Sequence, residues 1–160
     1  MAMAGIYTCT ITVGGATATS TLEVEVRPAP IANFTFNDNV CAGEPVSFTS
    51  TSTTSPTGYQ SQIEDYVWDF CDGQTGTGAN VTHTYATAGT YQVTLTVSTG
   101  DGHCTSEITK EVHVYENYSG TISETACDSF TWNGTTYTQS GTYTYHGQTP
   151  HGCDSIVELH

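Results

Sequence analysis

Positive charge is the scarcest thing in this chain. Lys110 and Arg27 are its only basic residues against sixteen Asp and Glu, a formal net charge of −14 over 160 residues. Nucleic acid and anionic membrane surfaces both require a positive footprint, so both are excluded as partners. Helix formers are scarce, and no useful window carries apolar residues at helical spacing. No apolar run approaches the length needed to cross a bilayer, so membrane insertion is not expected. The opening Met1-Ala2-Met3-Ala4-Gly5 lacks the basic and apolar regions of a signal peptide, which places any export signal outside this sequence. Cys-x-x-Cys pairs are also missing, which argues against zinc.

What is present is Thr, Ser, Gly, Val and Tyr in period-two alternation, the pattern of an all-β chain. A short phrase recurs three times: Gly5-Ile6-Tyr7, Gly89-Thr90-Tyr91 and Gly141-Thr142-Tyr143. In each, Gly permits a bend, and Tyr packs on the corner with its hydroxyl free to bond backbone. The strand then proceeds with alternate residues inward. Residues 5–26 read as a hairpin turning at Gly14-Gly15, followed by a linker at Arg27-Pro28-Ala29-Pro30. Residues 31–116 contain strands at Ala32–Asn37, Pro45–Ser50, Asp65–Phe70, Thr82–Tyr85, Tyr91–Ser98 and Thr105–Tyr115, the size of an immunoglobulin-like sandwich. Residues 117–160 begin a smaller unit rich in aromatics.

Six cysteines in a Lys-poor β chain read as disulfides formed in an oxidising compartment. For the small C-terminal unit, a Cys127–Cys153 bridge would contribute about 2–4 kcal/mol by loop closure. Sandwich geometry alone would bring Cys41 to Cys71, because the loops carrying them lie at one end.

Trp68-Asp69-Phe70-Cys71-Asp72-Gly73, then His83-Thr84-Tyr85, then Gly89-Thr90-Tyr91-Gln92-Val93-Thr94-Leu95-Thr96-Val97 closely resemble the PKD (polycystic kidney disease) domain. The resemblance covers about residues 31–115 and implies an immunoglobulin-like β-sandwich of PKD type. Cys71 departs from the family pattern, which has Gly there, and Val81 stands where Pro is common. The resemblance implies that Trp68, Asp69, Phe70, Asp72, Gly73, His83, Tyr85, Gly89, Tyr91 and Val93 are structural. It also implies a Cys41–Cys104 bridge, from the co-occurrence of those two positions in a family variant, with Cys9 and Cys71 unpaired or joined to each other. Residues 1–28 resemble the C-terminal hairpin of an immunoglobulin-like domain whose earlier strands, with the Cys that Cys9 would normally meet, are absent here. Cys127-Asp128-Ser129-Phe130-Thr131-Trp132 with Gly152-Cys153-Asp154 resembles a short Cys-containing repeat of large secreted Bacteroidetes proteins.

Catalytic readings are weak on these residues. Asp69 and Asp72 form a carboxylate pair on paper, but Asp before Gly is turn chemistry. His103 beside Cys104 suggests a nucleophile, which the expected disulfide would abolish. Glu64, Asp65 and Asp101 share one end of the sandwich and could hold calcium, a property some PKD domains have, although no Asp-x-Asp-x-Asp loop exists. Trp132 and Tyr137, with Tyr59, Tyr118 and Tyr145, make a candidate contact face for sugar or protein, to be weighed against ordinary aromatic pairing between strands. The sequons at Asn33, Asn80, Asn117 and Asn133 are what a Thr-rich chain contains by chance.

The sequence therefore predicts a non-enzymatic module without a cofactor, extracellular or at a cell surface, acting as a spacer and in contact with proteins or carbohydrates. An accessory domain of a secreted protease or polysaccharidase is the alternative. A third reading is a fibre subunit whose incomplete end modules pair with neighbouring modules of the same or adjacent subunits by strand exchange.

Overall fold

The structure is a computed structural model and describes residues 5–24, 29–37, 40–54, 62–100 and 104–160. Among them there is no helix: the chain is all-β. An N-terminal hairpin joins β1 (Gly5–Val13) to β2 (Ala16–Val24) through Gly14 and Gly15, at φ 58° and 86°. Two consecutive positive-φ residues give the turn whose twist matches paired strands. The register sets Tyr7 opposite Leu22, Cys9 opposite Ser20, Ile11 opposite Ala18 and Val13 opposite Ala16 on one face. Thr8, Thr10 and Thr12 face Thr21, Thr19 and Thr17 on the other.

The central sandwich has two sheets. β3 (Phe34–Phe36), β5 (Pro45–Ser50) and β8 (Asn80–Thr84) form one, in the order β3-β5-β8. The other contains β4 (Val40–Cys41), β6 (Ile63–Asp69), β7 (Thr75–Thr77), β9 (Gly89–Thr99) and β10 (Thr105–Tyr115), in the order β4-β10-β9-β6-β7. Alternation along β9 sends Val93, Leu95 and Val97 inward, all fully buried. They meet Val112 and Val114 of β10 and an aromatic cluster. Within that cluster Trp68 packs edge-on against Phe34, at 5.1 Å between ring centroids, and Phe48 bridges Trp68 and Phe70 at 5.6 and 5.5 Å.

The C-terminal unit has β11 (Tyr118–Ile122), β14 (Tyr143–Gln148) and β15 (Asp154–Leu159) in the order β11-β15-β14. A separate hairpin pairs β12 (Phe130–Trp132) with β13 (Thr135–Tyr137) through Asn133-Gly134, again two positive-φ residues.

The disulfide corrects the expected pairings. Cys41 is bonded to Cys153, with Cα atoms 5.5 Å apart, and neither Cys41–Cys104 nor Cys127–Cys153 forms. β4 lies parallel to the end of β10, with Cys41 opposite Tyr115, whereas Cys104 precedes the start of β10. One eleven-residue strand separates them, about 35 Å at the usual rise, far beyond the reach of a bridge. The Cys41–Cys71 alternative fails as well, because β4 and β7 are opposite edges of the sheet. From Tyr115 the chain passes directly into β11, which pairs with β15 from Ser155 onward, so Cys153 arrives beside Cys41. Cys9, Cys71 and Cys127 carry exposed free thiols.

Candidate functional site

The motif residues assemble at one end of the sandwich, where β6 turns into β7. Trp68 is buried, and its indole N–H donates to the Gly78 carbonyl at 2.8 Å. Asp69 is exposed and its Oδ1 accepts the Cys71 N–H at 2.9 Å; Asp72 Oδ1 accepts the Gln74 N–H at 3.0 Å. These are the side-chain-to-backbone bonds that short acidic residues make in turns. Cys71 sits at φ 61° and Gly73 at φ 88°, so the turn asks for left-handed backbone at a position where this chain carries a side chain.

His83 lies flat on Phe70, with ring centroids 4.0 Å apart and planes 2° apart, and its Nε2 meets Asp72 Oδ2 at 2.8 Å. Burial raises the Asp72 pKa, but the His83 hydrogen bond, the Gln74 N–H and the His83 charge outweigh it. The carboxyl therefore sits below its ordinary value. Tyr85 is buried against the edge of His83 and donates to the Phe70 carbonyl at 3.2 Å. Burial, with the Asp72 charge behind it, pushes the phenol well above its usual range. Tyr85 then stacks on Tyr91 at 4.0 Å, and the Tyr91 hydroxyl donates to the Thr87 carbonyl, four residues upstream, at 2.9 Å. The groups that look chemical in sequence thus hold one another and the turn.

The same corner is built again in the C-terminal unit. Tyr143 donates to the carbonyl of Gln139, four residues upstream, at 2.8 Å, and packs against Tyr137 with ring centroids 3.9 Å apart and planes tilted by 38°. Each tyrosine pair is six residues apart in the sequence. Thr90 meets His113 across β9 and β10 at 3.1 Å, and Thr142 meets His160 at 3.1 Å. The second strand of each hairpin has a parallel neighbour on its far side: β4 beside β10, and β11 beside β15. The recurring phrase is therefore longer than Gly-x-Tyr. It runs Thr-Tyr-x-x-x-Gly-Thr-Tyr and is answered across the strand by Glu-x-His at Glu111–His113 and Glu158–His160. Spacing the tyrosines by six would have revealed it.

The two corners differ in their cover. Tyr85 is roofed by His83 and Phe70, while Tyr137 and Tyr143 stay half exposed and line an open cleft of about 450 Å³. Phe130 and Leu159 complete its apolar part; Glu124, Asp128, Gln139 and His160 stand among its polar lining. Trp132 lies outside this cleft, edge-on to Tyr145 at 6.0 Å. The two members of the sequence-derived contact face, Trp132 and Tyr137, thus pair with different tyrosines. Tyr118 and Tyr145 are exposed, and Tyr59 lies outside the described residues.

At the other end of the sandwich, Glu64 sits at a β-bulge with its carboxylate against Gly100, and Asp65 accepts the Ser98 hydroxyl at 3.4 Å. Asp101 and His103 lie outside the described residues. Among the described residues no group of three His, Cys, Asp or Glu is placed to hold a metal ion.

A family model for the PKD domain matches residues 27–114. Microbial collagenase of Vibrio alginolyticus is 39% identical over 74 residues, covering 46% of this chain and 9% of that protein. Collagenase ColA of Clostridium perfringens is 30% identical over 113 residues, covering 71% of this chain and 10% of that protein. The chain therefore spans about a tenth of the length of these curated relatives. Among solved structures, work on carbohydrate-binding modules of the β-sandwich superfamily provides a neighbour at TM-score 0.54 and 32% identity. It covers 60% of this chain and 38% of its own.

Proposed function

The chain belongs to the PKD domain family, and from that premise we propose that it serves as a non-catalytic accessory module of a larger extracellular protein. It sets the spacing between neighbours and holds the whole against a protein or carbohydrate polymer. One observation carries this reading: the similarity to collagenases occupies about a tenth of their length, the share of a module within a long protein. The site geometry supports it. The Asp72–His83–Tyr85 group is committed to the turn and the core, with its hydrogen bonds already made inside the fold. The carbohydrate-binding neighbour supports polymer contact, and the Cys41–Cys153 bridge supports an oxidising, extracellular setting.

The hairpin of residues 5–24 is read as the end of a preceding β module, and its apolar face as that module's inner side. Residues 117–160 are read as a following, abbreviated one. Adhesion at a cell surface is the form this contact takes where the neighbouring modules are repeats. Support of a hydrolase is the form it takes where a neighbour is catalytic, and the collagenase relatives favour the latter. No cofactor enters the reading. A chelator is expected to leave the thermal midpoint unmoved, and a fall would bring Glu64, Asp65 and Asp101 into play as calcium ligands.

Co-sedimentation of the intact chain with collagen fibrils, cellulose and chitin tests the proposal. Retention on at least one of them without cleavage is expected. Failure to sediment with any of the three, or release of soluble fragments by the purified chain, overturns it.

A further inference from the structure

The C-terminal corner keeps the paired tyrosines of the sandwich but not their roof. In the sandwich, Phe70 and His83 close over Tyr85, which is buried. In the C-terminal unit, the β12–β13 hairpin turns back at Asn133-Gly134 and supplies no such pair. The space becomes the cleft of about 450 Å³, within the roughly 300–1,000 Å³ of small-molecule sites. Its floor is aromatic: Tyr137 packed against Tyr143 with their planes tilted by 38°, and Phe130 beside them. Its rim is mostly uncharged and polar, with hydroxyl and amide groups such as that of Gln139.

We propose that this cleft binds a neutral saccharide. A sugar ring presents an apolar C–H face, which suits an aromatic floor, and a rim of hydroxyls. Those hydroxyls donate to the carboxylates of Asp128 and Glu124 and accept from the Gln139 amide. Orienting a ligand with a few polar groups over an apolar base is the usual construction of such sites. Charge narrows the class. No Lys or Arg lines the cleft, two carboxylates do, and the chain carries −14 overall, so uronic and sulfated sugars are repelled. A cationic peptide would answer the two carboxylates but leave the larger uncharged rim unused. This inference rests on the contact reading above and names the ligand class of one site within it.

The test begins with the intact chain on an array of neutral hexose and N-acetylhexosamine oligosaccharides, with sialylated and sulfated members present. The strongest neutral binder is then titrated into isotope-labelled protein, followed by amide NMR. Shifts confined to residues 124–143 and 159–160 are expected. Tyr137→Ala should abolish them. Gln139→Ala alters only a rim side chain and should weaken binding about tenfold, the equivalent of one good polar contact. The proposal is overturned if no neutral glycan binds, or if sulfated glycans or a Lys-rich peptide bind instead. Shifts on the sandwich, or a Gln139→Ala variant that binds at full strength with its spectrum intact, also overturn it. Should the parent chain sediment with a polymer but bind no neutral glycan, the cleft is wrong while the contact reading stands. Should the parent sediment with nothing and bind no glycan, both fall.

Discussion

Two tyrosine corners, one at Tyr85 and Tyr91 and the other at Tyr137 and Tyr143, share spacing, a close ring-to-ring contact and a hydroxyl-to-carbonyl bond. They differ in what lies above them. The first is sealed by Phe70, His83 and the Asp72 turn, and its chemistry is consumed in folding. The second is left open to solvent. One local device thus serves as core in one unit and as surface in the next, and the presence of Phe70 and His83 at the first corner marks the difference.

That contrast can be broken by mutation. Tyr85→Ala removes a buried aromatic and is expected to cost about 3–5 kcal/mol, while Tyr137→Ala, half exposed, should cost under about half of that. Urea unfolding of the two variants checks it, and equal costs would mean that the second corner is as closed as the first. Next in size is the link between the units. Cys41→Ser should lower stability by about 2–4 kcal/mol, read as a fall in the urea midpoint, because a closed loop with a sequence separation of 112 is released. A variant that unfolds in one transition with an unchanged midpoint would deny the bridge any role in joining them.

Smaller effects separate the corners by pH and by backbone. Asp72 titrates below its ordinary value in the fold, so its contribution is present above the unfolded carboxylate pKa near 3.8 and is lost as pH falls through the folded value. Asp72→Asn should flatten the stability profile between about pH 5 and 2. Smallest is Cys71→Gly. It relieves a side chain at φ 61° and should raise stability by about 1 kcal/mol, visible as a higher thermal midpoint. A lower midpoint would show that the Cys71 side chain contributes more than its strain costs.

The sandwich was legible because its signals are local. Period-two alternation along Val93–Val97, with Trp68 and Phe70 on one face, identifies β9 and β6 without knowledge of the rest. β4 and β7 were not legible, since strands of two and three residues have no period to read. The bridge was missed for a different reason. The two partners expected for Cys41 (Cys104 and Cys71) both belong to the sandwich, but Cys41 lies on the edge strand that meets the outgoing end of β10, where the next unit begins. The open cleft was half visible. Tyr137 stood out as an aromatic, but its equivalence to Tyr85 depends on a six-residue spacing that the shorter Gly-x-Tyr phrase conceals.

The Cys41–Cys153 bond also determines how the chain carries tension. A pull on the two ends reaches Cys41 from one side and Cys153 from the other and crosses through the sulfur atoms. The sequence separation of 112 between them corresponds to about 390 Å of extended contour that stays out of the load path. While β3, before Cys41, and β15, after Cys153, stay in the load path, strands β4 to β14 and both tyrosine corners are thereby shielded from stretching. Only a reductant, which releases that hidden length, would let force unravel them.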